Sequence, residues 1–210
     1  NGDLKKRNII ITAGGTREAI DPVRYISNES SGKMGYALAI AARDRGANVT
    51  LITATKNNKS LKGIKTHTVV TAEEMFDKVK KSVTLKTDLL IMAAAVSDFR
   101  PKVAMQNKLK KINKKEINIK LESTKDILQE INGNFVKIGF AAETENIINE
   151  AQKKLTNKKL DLIIANDITR KDSGFSTETN KVWIINKDKE ITELPTLTKF
   201  EVANKILDQV

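Results

Sequence analysis

The nine residues DLLIMAAAV (Asp88–Val96) are apolar from the second onward, with no polar residue alternating among them. A strand covered by helices on both faces needs that composition, so the run reads as a central strand of a parallel sheet. Short β-branched runs lie on either side. Upstream lie NIIITA (Asn8–Ala13), NVTLIT (Asn48–Thr53) and the shorter KTHTVV (Lys65–Val70); downstream lie Val136–Phe140 and Asp161–Ala165. Helical patterns separate them. Lys33–Gly46 is alanine-rich and closed by Gly46, and Thr71–Val83 opens with Thr71 and Glu74 at capping-box spacing. Thr124–Ile131 and Glu143–Leu155 follow. Val182–Ile185 and Glu190–Leu194 read as a late antiparallel pair, before a terminal helix at Thr198–Leu207. This alternation predicts an α/β fold built on a doubly wound, mostly parallel sheet. The 210 residues fit a single domain, 1–210. Only the stretch 101–120 breaks the rhythm. Its seven lysines against Glu116 leave a net charge of +6, and the expectation is a lysine-rich flap inserted as a β-ribbon, with a solvated hairpin as the plainer alternative.

Composition removes whole classes of chemistry. There is no cysteine, which excludes disulfides, zinc–cysteine sites and a thiol nucleophile. The lone histidine, His67, excludes a multi-histidine metal centre and is read as half-buried packing; Trp183 is read as packing too. The net charge is +11, but 30 of the 37 basic residues are lysines spread along the chain, and aromatics make up only 4%. Nucleic-acid readers lean on arginine and on aromatics interleaved with basic residues, so no nucleic-acid partner is expected. A small anionic substrate suits the same charge. No stretch approaches the ~20 apolar residues of a membrane span, and the first residues lack the apolar core of a secretory signal. No membrane partner and a cytoplasmic location are therefore expected.

In an open α/β sheet, ligands bind beyond the carboxyl ends of the strands, so the loops there carry the candidates. After the first strand the chain runs through Gly14, Gly15 and Thr16 to Ser30-Ser31-Gly32-Lys33-Met34-Gly35, just before a helix. Adjacent glycines and a helix start suit a phosphate, making Gly14, Gly15, Thr16, Ser31 and Gly32 candidate nucleotide contacts, with a purely structural turn as the alternative. The loop is neither a Walker A motif nor GxGxxG, and the second strand ends Leu51-Ile52-Thr53 without the acid that binds a ribose hydroxyl. A nicotinamide oxidoreductase, the main rival reading, is undercut by that absence. After the central strand, Ala93 and Ala94 leave room for a flat ligand, and Asp98 suits a hydroxyl or Mg2+ held through water. The alternative, alanines packing under a helix with Asp98 capping a turn, stays open. Phe140 suits either stacking on a base or the core.

Taken together, these loops resemble the phosphopantothenoylcysteine synthetase (phosphopantothenate–cysteine ligase) family over essentially the whole chain. The resemblance rests on Ile11–Thr16, on Asp21-Pro22-Val23-Arg24-Tyr25-Ile26-Ser27-Asn28 and on Ser30–Gly35. It continues in Ala93-Ala94-Ala95-Val96-Ser97-Asp98, in Lys108-Leu109-Lys110-Lys111, in Gly139–Thr144 and in Ala165-Asn166-Asp167. It implies a Rossmann-like homodimer, often fused in bacteria behind a flavin-dependent decarboxylase domain. It further implies joining of 4′-phosphopantothenate to L-cysteine through an acyl-cytidylate, with CTP consumed, Mg2+ present, and CMP and pyrophosphate released. Carried over by position, Met92, Ala93, Ala94, Asp98, Lys108, Lys125, Asp126, Ile127, Leu128, Phe140, Lys154 and Lys158 become nucleotide contacts. Asn28 and Lys108 become the catalytic residues, and Arg24, Asn28 and Lys33 the phosphopantothenate contacts. Asp98 is the carboxylate nearest the metal. One departure stands out: the family's proline–aspartate pair is here Lys125-Asp126.

Overall fold

The structure, a computed structural model, describes residues 2–55, 61–111, 116–167, 169 and 177–210. In chain order its elements are β1 (Asn8–Ala13), β2 (Arg17–Ala19), β3 (Tyr25–Ser27), α1 (Lys33–Asp44), β4 (Asn48–Thr53), β5 (Ile64–Thr68) and α2 (Ala72–Ser82). There follow β6 (Leu89–Met92), β7 (Phe99–Pro101), β8 (Leu121–Ser123), α3 (Ile127–Glu130), β9 (Val136–Glu143) and α4 (Ile147–Asn157). The chain finishes with β10 (Leu162–Asp167), β11 (Thr179–Asn180), β12 (Val182–Asn186), β13 (Ile191–Glu193), β14 (Leu197–Thr198) and α5 (Lys199–Leu207).

Eight strands form one sheet in the order β13-β12-β10-β9-β6-β1-β4-β5. The six from β10 to β5 run parallel, and β12 and β13 are antiparallel, the pair expected from the sequence. The first three parallel strands step outward from β1 on one side; the next three step outward on the other. Strand order therefore reverses between β1 and β6, which makes a crevice at their carboxyl ends. Consecutive strand residues feed opposite cores. Ile9, Ile11, Leu51, Ile91 and Ile164 pack with α1 and α5. Ile10, Ile52, Leu90 and Ile163 pack with α2, α3 and α4. Burial on both faces is the reason these strands read as unbroken apolar runs. No described helix is long and apolar enough to cross a membrane.

Three local departures from the sequence reading bear on the site. The central strand stops at Met92 rather than Val96, because the hydroxyl of Thr12 takes the Ala94 N–H (3.1 Å) and the Gly14 carbonyl takes the Ala95 N–H (2.9 Å). Strand β9 continues to Glu143, paired with Asp167 of β10, so the helix expected from Glu143 starts at Ile147. Among the described residues the expected β-ribbon pairs at its base, β7 with β8, and the outermost hydrogen bond is Lys102 N–H to Lys120 O (3.0 Å). The other described flap residues take no strand form, and Lys114 and Lys115 lie outside the described residues.

Candidate functional site

The crevice exists because two loops are stitched side by side. The tails of β1 and β6 meet in a single parallel bridge, Gly15 with Ala95. Thr16, fully buried, ties them further: its N–H donates to Ala95 O (3.3 Å), and its hydroxyl accepts the Ser97 N–H (2.9 Å). The Ser27 hydroxyl donates to Thr16 O (2.7 Å). Gly14 and Gly32 both have positive φ, 83° and 77°, and a Cβ on either would strike Thr55 Cγ2 at 2.8 or 2.6 Å. A Cβ on Gly15 would meet the Asn28 carbonyl at 2.4 Å. Gly14, Gly15 and Thr16, read from the sequence as phosphate contacts, thus spend their small size and polar groups on loop packing and do not line the cavity. Beyond β4, where a dinucleotide site would place its ribose acid, Thr55 instead shares a hydrogen bond with the Tyr36 hydroxyl (3.1 Å).

A cavity of about 640 Å3 opens over this edge of the sheet. It brings together Asn28, Ser31, Gly32, Lys33, Met92, Ala93, Ala94, Asp98, Lys125, Asp126, Ile127, Leu128, Phe140, Lys154 and Lys158, fifteen residues singled out in the sequence. The cavity spans both faces of the sheet and has two unlike ends. Over α1 and α5 it is polar, with Ser30, Ser31, Lys33, Asn180 and Lys199. Helix α1 begins there at Gly32 with no side-chain cap. Over α3 and α4 it is apolar at depth, with Leu128, Gly139, Leu160 and Ile163, and charged at its rim.

Five lysines line the cavity against three carboxylates, Glu29, Asp98 and Asp126. Lys33 pairs with Glu178, Lys154 with Glu143 (2.6 Å) and Lys158 with Asp126 (2.9 Å). The Lys125 ammonium lies 4.7 Å from the centre of the Phe76 ring. Asp126 also caps α3, accepting from Leu128 N–H and Gln129 N–H, so one carboxylate fixes both the helix start and Lys158. The Asn28 amide donates to Val96 O (3.0 Å), which orients its carboxamide at the mouth. Asp98 is exposed there, and among the described residues no three carboxylates or imidazoles gather as a metal cage. That donor set fits Mg2+ only in the manner usual for nucleotide sites, one carboxylate plus phosphate oxygens and water.

Arg24 and Lys108 are not brought to the cavity lining. Arg24 pairs with the buried carboxylate of Asp21 (2.5 Å) and donates to Leu109 O (3.2 Å). Asp21 also accepts from the backbone N–H of Val23, Arg24 and Leu109. Burial alone would raise its pKa; these donors outweigh that and hold it down to about 2. Asp21 thus fastens the flap at Leu109, one residue from the exposed Lys108. Arg24, expected from the sequence as a phosphate contact, lies at the flap anchor, outside the cavity lining.

Sequence reading missed Lys199 and Asn180. Both are at least nine-tenths buried, and both line the polar end. Burial pushes the Lys199 pKa down and nearby Lys33 adds to it, while Glu178 opposes. The capping box of Thr198 and Glu201 fixes the helix start that carries Lys199. That capping box was readable as T-x-x-E; the burial of the lysine beside it was not. His67, on edge strand β5, lies outside the cavity lining.

Fold and site together define a doubly wound α/β protein with a cationic switch-point crevice, the layout in which such sheets hold phosphorylated ligands. The chain belongs to the family described as the DNA/pantothenate metabolism flavoprotein C-terminal domain, whose model matches residues 4–210. It is 44% identical over 209 residues to the coenzyme A biosynthesis bifunctional protein CoaBC of Borreliella burgdorferi, covering 97% of this chain and 52% of that protein. The chain spans about half the length of the curated relatives it matches. Among solved structures it is similar to the C-terminal domain of a CoaBC protein, with a TM-score of 0.83 and 40% identity over 100% of this chain and 96% of the other. A Cab2 mutant in complex with phosphopantothenate-cysteine shares the fold, with a TM-score of 0.76 at 15% identity over 97% of this chain and 86% of that one.

Proposed function

We propose that this chain is a phosphopantothenate–cysteine ligase of coenzyme A biosynthesis. In this reading a carboxylate oxygen of 4′-phosphopantothenate attacks the α-phosphorus of CTP, the bond to the β-phosphate breaks, and pyrophosphate leaves. The amine of L-cysteine then attacks the acyl carbon, loses a proton, and expels CMP as the amide forms. A carboxylate resists attack until it sits in an anhydride, so activation comes first. The observation that carries the reading is the single cavity with cations at both ends of one apolar-floored crevice, since the reaction needs two anions side by side. The product it predicts is the ligand named for the Cab2 complex.

The roles follow from position. Met92, Ala93 and Ala94 offer backbone at the end of β6, and their neighbours' small side chains let a flat group approach it. The apolar end takes the base, with Lys125–Leu128, Lys154 and Lys158 around it, while Phe140 packs on the α1 and α5 face of the sheet and lines the other end. Lys33 neutralises phosphate at the polar end, and Asn28 donates to the acyl carbonyl as the amine attacks. Mg2+, held by Asp98 and the triphosphate, would offset charge on the departing pyrophosphate. Lys108 acts only once the flap closes, a gating motion, and the homodimer and a flavin-dependent decarboxylase on the same polypeptide belong to this proposal too. The test is pyrophosphate release and amide formation with CTP or ATP, phosphopantothenate and cysteine, omitting one at a time. Pyrophosphate without cysteine, and amide only with it, is expected; no triphosphate consumption with every substrate present would overturn the reading.

A further inference from the structure

Lys137 interrupts an apolar strand, and its side chain is not turned to solvent. It lies in β9 at 8% exposure, two residues before Gly139 and so on the same face of the sheet. Its ammonium donates to Leu128 O (3.1 Å) and to Lys158 O (3.4 Å). These are carbonyls at the close of α3 and at the C-cap of α4. Helix ends leave such carbonyls without intrahelical partners, and a cation suits them. The backbone of Lys137 is held as well: its N–H donates to Asp161 Oδ2 (2.8 Å), and its carbonyl accepts the Asp161 N–H (3.0 Å).

The two segments so joined are the walls of the apolar end of the cavity. Leu128, from α3, and Leu160, just after α4, both close over Gly139: a Cβ there would lie 3.2 Å from Leu128 Cδ1 and 2.7 Å from Leu160 Cδ1. The same walls are bridged at the rim by Asp126 and Lys158. One link is thus exposed to the cavity and exchangeable, while the other is buried and permanent. Burial pushes the Lys137 pKa down, and Lys159 adds to this, but Asp161 and Asp126 push it back.

We propose that Lys137 is a specificity-determining strut, whose ammonium ties α3 to the end of α4 and thereby sets the width of the slot that receives the nucleotide base. The proposal rests on the ligase reading only in taking that base to be a nucleotide's. Lys137 touches no substrate and acts through Leu128 and Leu160. Shape discrimination in an apolar pocket starts at about tenfold, which sets the effect to look for.

The experiment measures dissociation constants of CTP and of ATP, by calorimetry, for the wild type, Lys137→Met and Leu160→Val, with amide formation assayed alongside. Lys137→Met keeps an unbranched chain of similar length and removes the donor; Lys137→Gln, which keeps a neutral donor, replaces it if the methionine variant does not fold. The ratio of the two constants is expected to move about tenfold towards unity in both the lysine and the leucine variants. A merely structural lysine would lower the melting temperature and leave the ratio unchanged, which would overturn the strut. A ratio moved by Leu160→Val but not by the lysine variant would also overturn it. A wild type that binds the triphosphates unequally yet makes no amide would sink the ligase reading alone, since the binding ratios still test the strut. A wild type that binds neither would sink both.

Discussion

Replacing Gly35 by alanine separates the position of the site from the stability of the fold. Gly35 is the third residue of α1, buried where the helix crosses β1. A Cβ there would lie 2.6 Å from Ala13 Cβ and 2.7 Å from Thr12 O, and two of its three nearest atoms belong to backbone. Neither contact can be relieved by turning a side chain. The start of α1 must move outward by about 0.8 Å to restore ordinary contact near 3.4 Å. Overpacking of this kind costs about 1–3 kcal/mol, and alanine returns about 1 kcal/mol of helix propensity. The net loss is about 1 kcal/mol, and the melting temperature of a chain this long falls by about 2–4 °C. The effect on chemistry is disproportionate. Ser31, Gly32 and Lys33 ride on the displaced end while Ala93, Ala94 and Asp98 stay with β6, and a misplacement near 1 Å costs about 100-fold in turnover. Initial rates of amide formation at saturating substrates, set beside a thermal melt, read both numbers. A Gly35→Ala protein with a lowered melting temperature but a turnover within about threefold of wild type would refute the reasoning, because the start of α1 would then not be part of the reacting geometry.

Asn28→Asp cannot donate to Val96 O or to an acyl carbonyl; single-turnover pyrophosphate release should persist while amide formation falls about 100-fold or more, and equal loss of both would count against the role. Lys108→Gln lies on the exposed flap, so it should leave the melting temperature unchanged and slow pyrophosphate release; an unchanged release rate would remove Lys108 from activation. Asp21, at about 2 in the folded chain and about 3.9 when unfolded, stays charged above about pH 4 and loses its bonds only as pH falls towards 2. Protection of the Leu109 amide in hydrogen exchange should therefore hold from neutral pH down to about 4, and Asp21→Asn should lose it at pH 7.

The parallel strands were legible because burial on both faces leaves an unambiguous mark: nothing but a two-sided core explains Leu89-Leu90-Ile91-Met92 beside Ile9-Ile10-Ile11. The hairpin β2–β3 left none, since three residues are too few for an alternation to declare itself, and of β7–β8 only the ribbon as a whole was expected, not the strands at its base. Gly14, Gly15 and Gly32 show a deeper ambiguity. A missing Cβ lets a phosphate approach backbone or lets another loop do so, and the sequence looks the same; Gly32 reaches the cavity, whereas Gly14 and Gly15 serve Thr55 and Asn28. Lysines hide in a similar way. Lys137 and Lys199 are buried and Lys108 is exposed, yet each appears in the chain as one more member of a dispersed surplus. Which lysine is buried depends on carbonyls far along the chain, and no local pattern records them.

In the proposed ligase, the pairing of the cavity lysines would let such a surplus serve a selective site. Lys33, Lys154 and Lys158 each meet a carboxylate. Partly exposed pairs of this kind are worth about 0–1 kcal/mol, so exchanging a carboxylate for a phosphate oxygen sacrifices little. Ordering a free lysine costs up to about 2 kcal/mol, and that cost is already met where the side chain is held in place. The carboxylates also cut the bare charge of the crevice, while five lysines against three lining carboxylates leave it cationic. A ligand that also fills the apolar end adds burial of apolar surface to these exchanges. Affinity for triphosphate should accordingly weaken with added salt by far less than five unpaired lysines would dictate, because much of the exchange is between one anion and another.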